Sequence, residues 1–283
     1  MEENGQKQIR LKAILSEMGS ALVAFSGGVD STFLAAVARD VLADKAVAVT
    51  ALSPSVPRSE ADSAVEVARL IGIRHVVIET REMDSPDYIA NTPDRCYYCK
   101  NELFGHLRSL AEEMGLAYVL DGSNTDDEAD YRPGHRAADR HGIRSPLREA
   151  GMNKEDIRTL SRERGLPTWN KPAMACLASR LPYGTPITQA ALRQVDEAEN
   201  FLRSLGLSQL RVRHHGDIAR IEVDSQGMSA LMREENRHAV VEKLRSLGYL
   251  YVALDLAGFR SGSLNEGLSH LKTPNRSDET AEQ

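Results

Sequence analysis

The sequence predicts an α/β fold: a parallel-sheet domain followed by a smaller C-terminal α+β domain. Three observations predict it. Short apolar runs alternate with amphipathic stretches through the first 170 or so residues, the pattern of a parallel sheet covered on both faces. A glycine turn, Ser26-Gly27-Gly28-Val29-Asp30-Ser31, follows the first run and opens a helix. After Pro186 the texture changes to a long helix, two paired strands, a helix and a strand. The expected boundaries are 1–180 for the first domain and 187–270 for the second, with a polar, disordered tail over 272–283.

The elements follow in order. Residues 9–18 carry Ile9, Leu11, Ile14, Leu15 and Met18 at helical spacing. Ala21–Phe25 is a buried strand and Thr32–Leu42 an Ala- and Leu-rich helix. Ala46–Leu52 is the second strand. Pro57–Ile71 is a helix opened by proline and acidic residues. His75–Ile78 and Tyr118–Leu120 are the third and fourth strands. Pro86 and Pro93 make Asp84–Lys100 read as a loop leading into a helix, Lys100–Met114. Residues 123–152 read as a polar loop and Lys154–Arg164 as a helix closed by Gly165 and Pro167. Trp169–Pro186 is irregular. Thr188 caps a helix through Leu205. Leu210–Arg213 pairs with Ile218–Val223, then come helix Glu234–Leu247 and strand Tyr249–Leu254.

Composition narrows the class. The 283 residues are 41% hydrophobic and 27% charged, ordinary for a folded domain. The net charge of −6 argues against a broad basic surface for nucleic acid. No apolar run is long enough to span a bilayer, and the N-terminus lacks the apolar core of a signal peptide. The expected location is the cytoplasm, with no membrane and no nucleic-acid partner.

The glycine turn is built for an anion. Gly27 and Gly28 let the backbone approach closely, the N–H groups at a helix start point outward, and Ser26 and Ser31 add hydroxyl donors. It is neither the P-loop nor the dinucleotide pattern. The string SGGVDS resembles the PP-loop of the ATP pyrophosphatases. The resemblance implies ATP and Mg²⁺, with cleavage between the α and β phosphates, and Ser26, Gly27, Gly28, Asp30 and Ser31 as ATP-binding residues. Ala24 and Ser53, at strand ends, fall near the base or ribose, because ligands sit at the carboxyl ends of parallel strands. Asp121-Gly122-Ser123-Asn124-Thr125-Asp126-Asp127 follows the fourth strand on the same edge and adds Gly122 to that set. Asp126 and Asp127 there read either as Mg²⁺ or substrate carboxylates or as an Asx-rich turn.

Three cysteines are present: Cys96, Cys99 and Cys176. Cys96 and Cys99 form a C-x-x-C able to clamp one metal centre. Three thiolates suit a [4Fe–4S] cluster with one open iron; zinc completed by a histidine and a dithiol redox pair are the competitors. A PP-loop joined to three cysteines points to sulfur transfer, in which ATP activates an oxygen by adenylation and sulfur displaces AMP. The two domains leave no room for the glutaminase an amidating ligase needs.

Five stretches carry a closer resemblance: RCYYCK at 95–100, DYRPG at 130–134, WNKPAMACLASRLPYG at 169–184, RVRHHGDIARIEV at 211–223 and LDLAGFRSGSLN at 254–265. Over roughly 9–268 the chain resembles the LarE family of sulfur transferases. The resemblance implies adenylation of the carboxylates of pyridinium-3,5-biscarboxylic acid mononucleotide and their conversion to thiocarboxylates, in making the nickel-pincer nucleotide of lactate racemase. One kind of member sacrifices a cysteine sulfur. Another holds a [4Fe–4S] cluster on three cysteines and takes sulfide from an external donor. This chain is similar to the cluster kind, with Cys176 at the position otherwise sacrificed. Arg211 and Arg213, on one face of a strand, and Arg260 match arginines used for substrate phosphate, since guanidinium forks suit phosphate. Glu199 and Glu222 match carboxylates for a divalent cation or substrate. Arg180 and Lys100 are assigned to the adenylate or pyrophosphate, Tyr97 and Tyr98 to packing. The family also implies a homo-oligomer. The rival readings are a tRNA 2-thiolation enzyme, which needs a basic surface, and an ATP-binding regulatory module without catalysis.

Overall fold

The computed structural model describes residues 2–129, 134–173, 175–260 and 262–264. The expected tail at 272–283, Asp130–Pro133 of the DYRPG stretch, Met174, Ser261 and Asn265 lie outside the described residues. The chain divides into two compact units: Met1–Cys176 with Pro186–Thr188, and Leu177–Thr185 with Gln189–Gln283.

The first unit is an α/β layer structure. In order it contains α1 (Glu2–Met18), β1 (Ala21–Ala24), α2 (Val29–Leu42), β2 (Ala46–Leu52), α3 (Arg58–Ile71), β3 (Arg74–Glu79), the short α4 (Pro86–Ile89), α5 (Arg95–Glu113), β4 (Tyr118–Leu120), α6 (Gly134–Arg140), the short α7 (Pro146–Glu149) and α8 (Lys154–Glu163). The four strands are parallel, in the order β3-β2-β1-β4, with Ala21 opposite both Ala46 and Tyr118. Side chains alternate between faces of each strand. Leu22, Val47, Val49 and Val119 pack with Phe104 and Leu107 of α5 and Ala137 of α6. Ala21, Val23, Ala46, Ala48 and Leu120 pack with Leu11 and Leu15 of α1, Phe33 and Leu34 of α2, and Ile157 of α8. Both faces are therefore covered, which is why these strands read as unbroken apolar runs.

Three expectations change. The helix read over 9–18 begins at Glu2, held by the i,i+4 pair Glu3–Lys7 and by Lys7 on Asp156 at 2.8 Å. The segment read as a loop up to Lys100 is helical from Arg95, so both cysteines of the pair stand on α5. Pro86 is the first residue of α4, where a helix needs no N–H, and Ser85 caps it by accepting from Tyr88 N–H. The stretch 123–152, read as loop, holds α6 and α7 as well. The helix at Lys154 opens with a capping box, Asn153 and Asp156 each accepting from the other's backbone N–H.

The second unit contains α9 (Gln189–Ser204), β5 (Leu210–His215), β6 (Ile218–Val223), α10 (Ser225–Leu231), α11 (Glu234–Ser246) and β7 (Tyr251–Leu254). Its sheet runs β5-β6-β7, with β5 antiparallel and β7 parallel to β6. Ala198 and Leu202 of α9, Val212, Ile221 and Val223 of the sheet, and Val240 and Leu244 of α11 form its core. No described helix is long and apolar enough to cross a membrane.

Candidate functional site

The strand order places the site. Leaving β1 the chain steps through β2 to β3 on one side, then returns to β4 on the other. Ligands of such sheets bind where the order reverses, beyond the carboxyl ends of the strands. Between β1 and β4 that edge carries the Ser26–Ser31 turn and the Asp121–Asp127 segment. Gly27 has φ +66°, and a Cβ on it would lie 2.9 Å from Ala64 Cα. Gly122 passes so close to α2 that a Cβ would meet Ser31 N at 3.0 Å. Both positions therefore require glycine. Ser26 and Ser31 share a hydroxyl contact of 3.0 Å, and Ser26 Oγ accepts from Gly28 N–H at 3.4 Å. No side chain caps the start of α2, so its first N–H groups remain available to an anion.

A cavity of about 470 Å³ opens on this loop. Ser26, Gly28 and Asp30 line it together with Lys100, Lys154, Lys171, Glu60 and Cys176. Lys154 pairs with Asp30, whose Oδ1 is buried without a partner. Burial raises the Asp30 pKa, opposed by Lys154. A smaller cavity of about 190 Å³ lies at the ends of β1 and β2 between Ala24, Phe25, Val49, Thr50, Leu103 and Leu107. Its lining is largely apolar, and Ala24 stands in it. Ser53 lines neither cavity; its hydroxyl donates to buried Glu82 and contacts Ser55 Oγ at 2.7 Å. Asp121 accepts from Ser145 and Ser123, Asp126 from Lys154 N–H, and Asp127 from Asn124 N–H. These carboxylates hold turns and helix starts, as an Asx-rich turn does.

The thiols gather in the same unit. Cys96 and Cys99 sit one turn apart on α5 and so share a face. None of the three cysteines forms a disulfide. Cys96 is exposed, yet the protein packed around it raises its pKa, Cys176 adds to the rise, and Arg95 opposes it. Cys99 rises further through burial, with Glu82, Cys176 and Cys96 adding. Each pair of cysteines is thus within electrostatic reach. Tyr88 lies in the same surroundings, its own pKa raised by burial and by Cys176, Cys99 and Glu82. A redox pair needs a lowered thiol pKa, so raised values count against that reading. Among the described residues no three His, Cys, Asp or Glu side chains are placed to hold a single ion. A four-iron cube spreads its thiolates wider than one ion does, and its positive charge would offset both the desolvation and the mutual repulsion that raise these thiols.

The second unit gathers the arginines. Glu199 accepts from Arg180 through both oxygens (2.8 and 3.0 Å), from Arg203 at 2.8 Å and from Val212 N–H at 3.1 Å. Burial alone would raise its pKa; the arginines and the backbone N–H more than offset this and lower it. Glu222 takes a two-pronged contact from Arg213, both prongs at 2.9 Å, and pairs with Arg220 at 3.2 Å. Glu199 and Glu222 are the carboxylates expected to face a divalent cation; in this structure each of their four oxygens accepts from protein donors. Arg180, expected at ATP, commits its buried guanidinium to Glu199 and lines neither cavity. Arg213 also donates to the Ser179 carbonyl at 2.7 Å. Arg260 donates to the Gly258 carbonyl at 3.5 Å. Arg211 stacks on Phe259 at 5.0 Å and keeps its buried Nε without a partner. Burial, with Arg180 and Arg213 beside it, lowers its pKa to about 10. It remains a cation at neutral pH.

The asparagine synthase family model matches residues 15–122, the stretch holding all four parallel strands. An uncharacterized protein of Synechocystis sp. is 46% identical over 92% of this chain and 97% of its own length. The pyridinium-3,5-bisthiocarboxylic acid mononucleotide synthase of Lactiplantibacillus plantarum is 44% identical over 93% of this chain and 95% of its own. The chain belongs to the LarE family. As a LarE-family member it is an ATP-using sulfurtransferase. A tRNA-specific 2-thiouridylase of Xanthobacter autotrophicus is 32% identical, but over 53% of this chain and 48% of its own length. The rival tRNA reading thus has a partial likeness where the LarE likeness is nearly full-length.

Four residues in these surroundings carry little mark of a role in the sequence: Lys154, Lys171 and Glu60, which line the larger cavity, and Glu82, which stands near Cys99. Lys171 lies in the WNKPAMAC stretch two residues after Trp169, which was noted only as a motif. For Glu60 the sole signal is its place in the first turn of α3. Glu82 is 1% exposed with Oε2 unpartnered, and nothing in its neighbours in sequence marks it.

Proposed function

We propose that this chain adenylates a carboxylate of pyridinium-3,5-biscarboxylic acid mononucleotide and replaces its oxygen with sulfur, twice, to give the bisthiocarboxylate. One observation carries the reading: Cys176 lines the same cavity as Ser26, Gly28 and Asp30 of the phosphate loop. A substrate carboxylate oxygen attacks the α-phosphorus of ATP and pyrophosphate leaves into the cradle of loop amides, Lys100 and Lys154. Asp30 would hold the Mg²⁺ that accompanies the phosphates, since this ion prefers one or two carboxylates plus substrate oxygens, and the ion would supply charge neutralisation there. A sulfur nucleophile then attacks the acyl carbon, and AMP departs with the original oxygen. Within the second unit Arg211, whose buried Nε has no partner, offers a guanidinium to a phosphate, together with Arg213 and Arg260.

Cys96, Cys99 and Cys176 would hold a [4Fe–4S] cluster. When bound, such a cluster supplies one iron free of protein ligands, a seat for sulfide from an external donor. The product feeds the nickel-pincer nucleotide of lactate racemase, and the working form is a homo-oligomer. A second reading has its own support. Cys176 lines the cavity and neither Cys96 nor Cys99 does. In that reading Cys176 Sγ loses its proton and attacks the acyl carbon, expelling AMP; loss of the Cα proton to a base then breaks the Cβ–S bond, releasing the thiocarboxylate and leaving dehydroalanine.

Anaerobic purification with iron, sulfide and zinc analysis separates the two. The cluster reading expects about four irons per chain, lost in Cys96→Ala, and repeated turnovers with added sulfide. Sacrifice expects one turnover and a chain lighter by the elements of H₂S. Failure to release pyrophosphate with the pyridinium substrate overturns both.

A further inference from the structure

Lys171 joins the cysteine-bearing segment to the phosphate loop. Its ammonium donates to the Gly27 carbonyl at 3.2 Å and to Ser63 Oγ at 3.5 Å, and pairs with Glu60 at 2.8 Å. The side chains of Lys171 and Glu60 are each 19% exposed, so solvent screens the pair only in part. An ammonium has three protons, and here three protein acceptors take them. Gly27 is the left-handed residue of the loop, so the tether holds the point where the loop turns. Residues 171–173 and 175–176 carry no helix or strand, and Cys176 follows five positions on. Lys171, Gly28 and Cys176 line one cavity.

We propose that Lys171 is a positioning residue that couples occupancy of the phosphate loop to the placement of Cys176. The proposal rests on the reading of loop and thiol as parts of one sulfur-transfer site. Pyrophosphate in the cavity competes with Gly27 and Glu60 for the ammonium. Every bond the anion takes from them slackens the hold on residues 171–176, and every bond restored on its release draws the segment back. Lys100 and Lys154 line the same cavity but stand on α5 and α8, not on the segment that ends in Cys176. No covalent bond changes at Lys171; it acts by where it holds the chain.

The test uses full-length, reduced, metal-free protein and inorganic pyrophosphate with Mg²⁺. The rate of Cys176 alkylation by iodoacetamide, read by peptide mass spectrometry, is compared with and without the anion. In the wild type pyrophosphate changes that rate about threefold or more, and in Lys171→Met the change disappears; Glu60→Gln gives an intermediate response. Calorimetric titration still detects pyrophosphate binding to Lys171→Met, weakened about tenfold or less. Simple shielding of the thiol by the anion survives the substitution, so equal responses in wild type and variant overturn the coupling. So does an unresponsive wild type, or complete loss of pyrophosphate binding in Lys171→Met, which makes the lysine a plain anion ligand. If Lys171→Met does not fold, Glu60→Gln combined with Ser63→Ala is judged by the same criteria. Because the assay needs no turnover, failure of the sulfur-transfer reading shows separately, as absent thiocarboxylate product beside a responsive Cys176.

Discussion

At the scale of single residues, two adjacent glycines of the phosphate loop differ in what they tolerate. Gly27 sits at φ +66° against Ala64, whereas Gly28 has φ −82° and a Cβ there would meet Ser26 Oγ at 3.3 Å. Gly27→Ala is expected to cost at least about 1–2 kcal/mol from the left-handed conformation alone. The clash with Ala64 adds to this, and pyrophosphate affinity falls about tenfold or more. Gly28→Ala costs well under about 1 kcal/mol of stability. Urea unfolding and calorimetric titration of the two variants check this; equal losses would remove the distinction. The motif SGGVDS was legible because its whole signal lies within six consecutive residues. Lys171 was not, because its acceptors Gly27 and Ser63 are 144 and 108 positions away. A lone lysine carries no local mark of such partners.

At the scale of elements, helices with regular apolar spacing were legible and helix starts were less so. The start of α5 was misplaced because Asp94, at its cap position, makes no side-chain capping bond, and the prolines before it look the same in a loop as ahead of a helix. The helix α10 was missed because Gly227 interrupts it; that glycine lies against Val223, where a Cβ would come within 2.8 Å. The bond between α9 and β5 runs through Glu199, which holds Arg180 and the Val212 N–H together. Glu199→Gln leaves a buried guanidinium without its counter-charge and is expected to destabilise by about 3–5 kcal/mol near neutral pH. The native pKa of Glu199 is depressed. Its stabilisation is therefore present above the unfolded carboxylate pKa of about 4.3 and is lost as pH falls through the native value. The gap between wild type and variant in denaturant melts should narrow with acid from below about pH 4. A gap constant down to pH 2 would show that the lost charge is not its cause.

At the scale of the whole molecule, four strands and their alternation with helices were legible, but the order β3-β2-β1-β4 was not, since apolar runs carry no record of which neighbour they pair with. That order makes the turn after β1 and the segment after β4 neighbours. The change of texture after Pro186 was legible; the finer path was not, for Leu177–Thr185 belongs to the second unit and Pro186–Thr188 to the first. The two units have separate apolar cores, one built on Phe33, Leu34 and Leu11, the other on Leu202, Val212 and Leu244. Separate cores predict two calorimetric transitions. Gly27→Ala should lower one and Glu199→Gln the other, each leaving its companion within about 1–2 °C. A single transition moved by both variants would refute this.

Cys96 and Cys99 ride one helical turn apart on a nineteen-residue helix, while Cys176 sits on irregular chain. Two donors fixed in advance and a third that must be gathered make a stepwise trap for soft electrophiles. Phenylarsine oxide, which bridges two sulfurs, should titrate one equivalent tightly into Cys176→Ala and bind more weakly to Cys96→Ala, so the stiff pair can be filled and counted before the third arm closes.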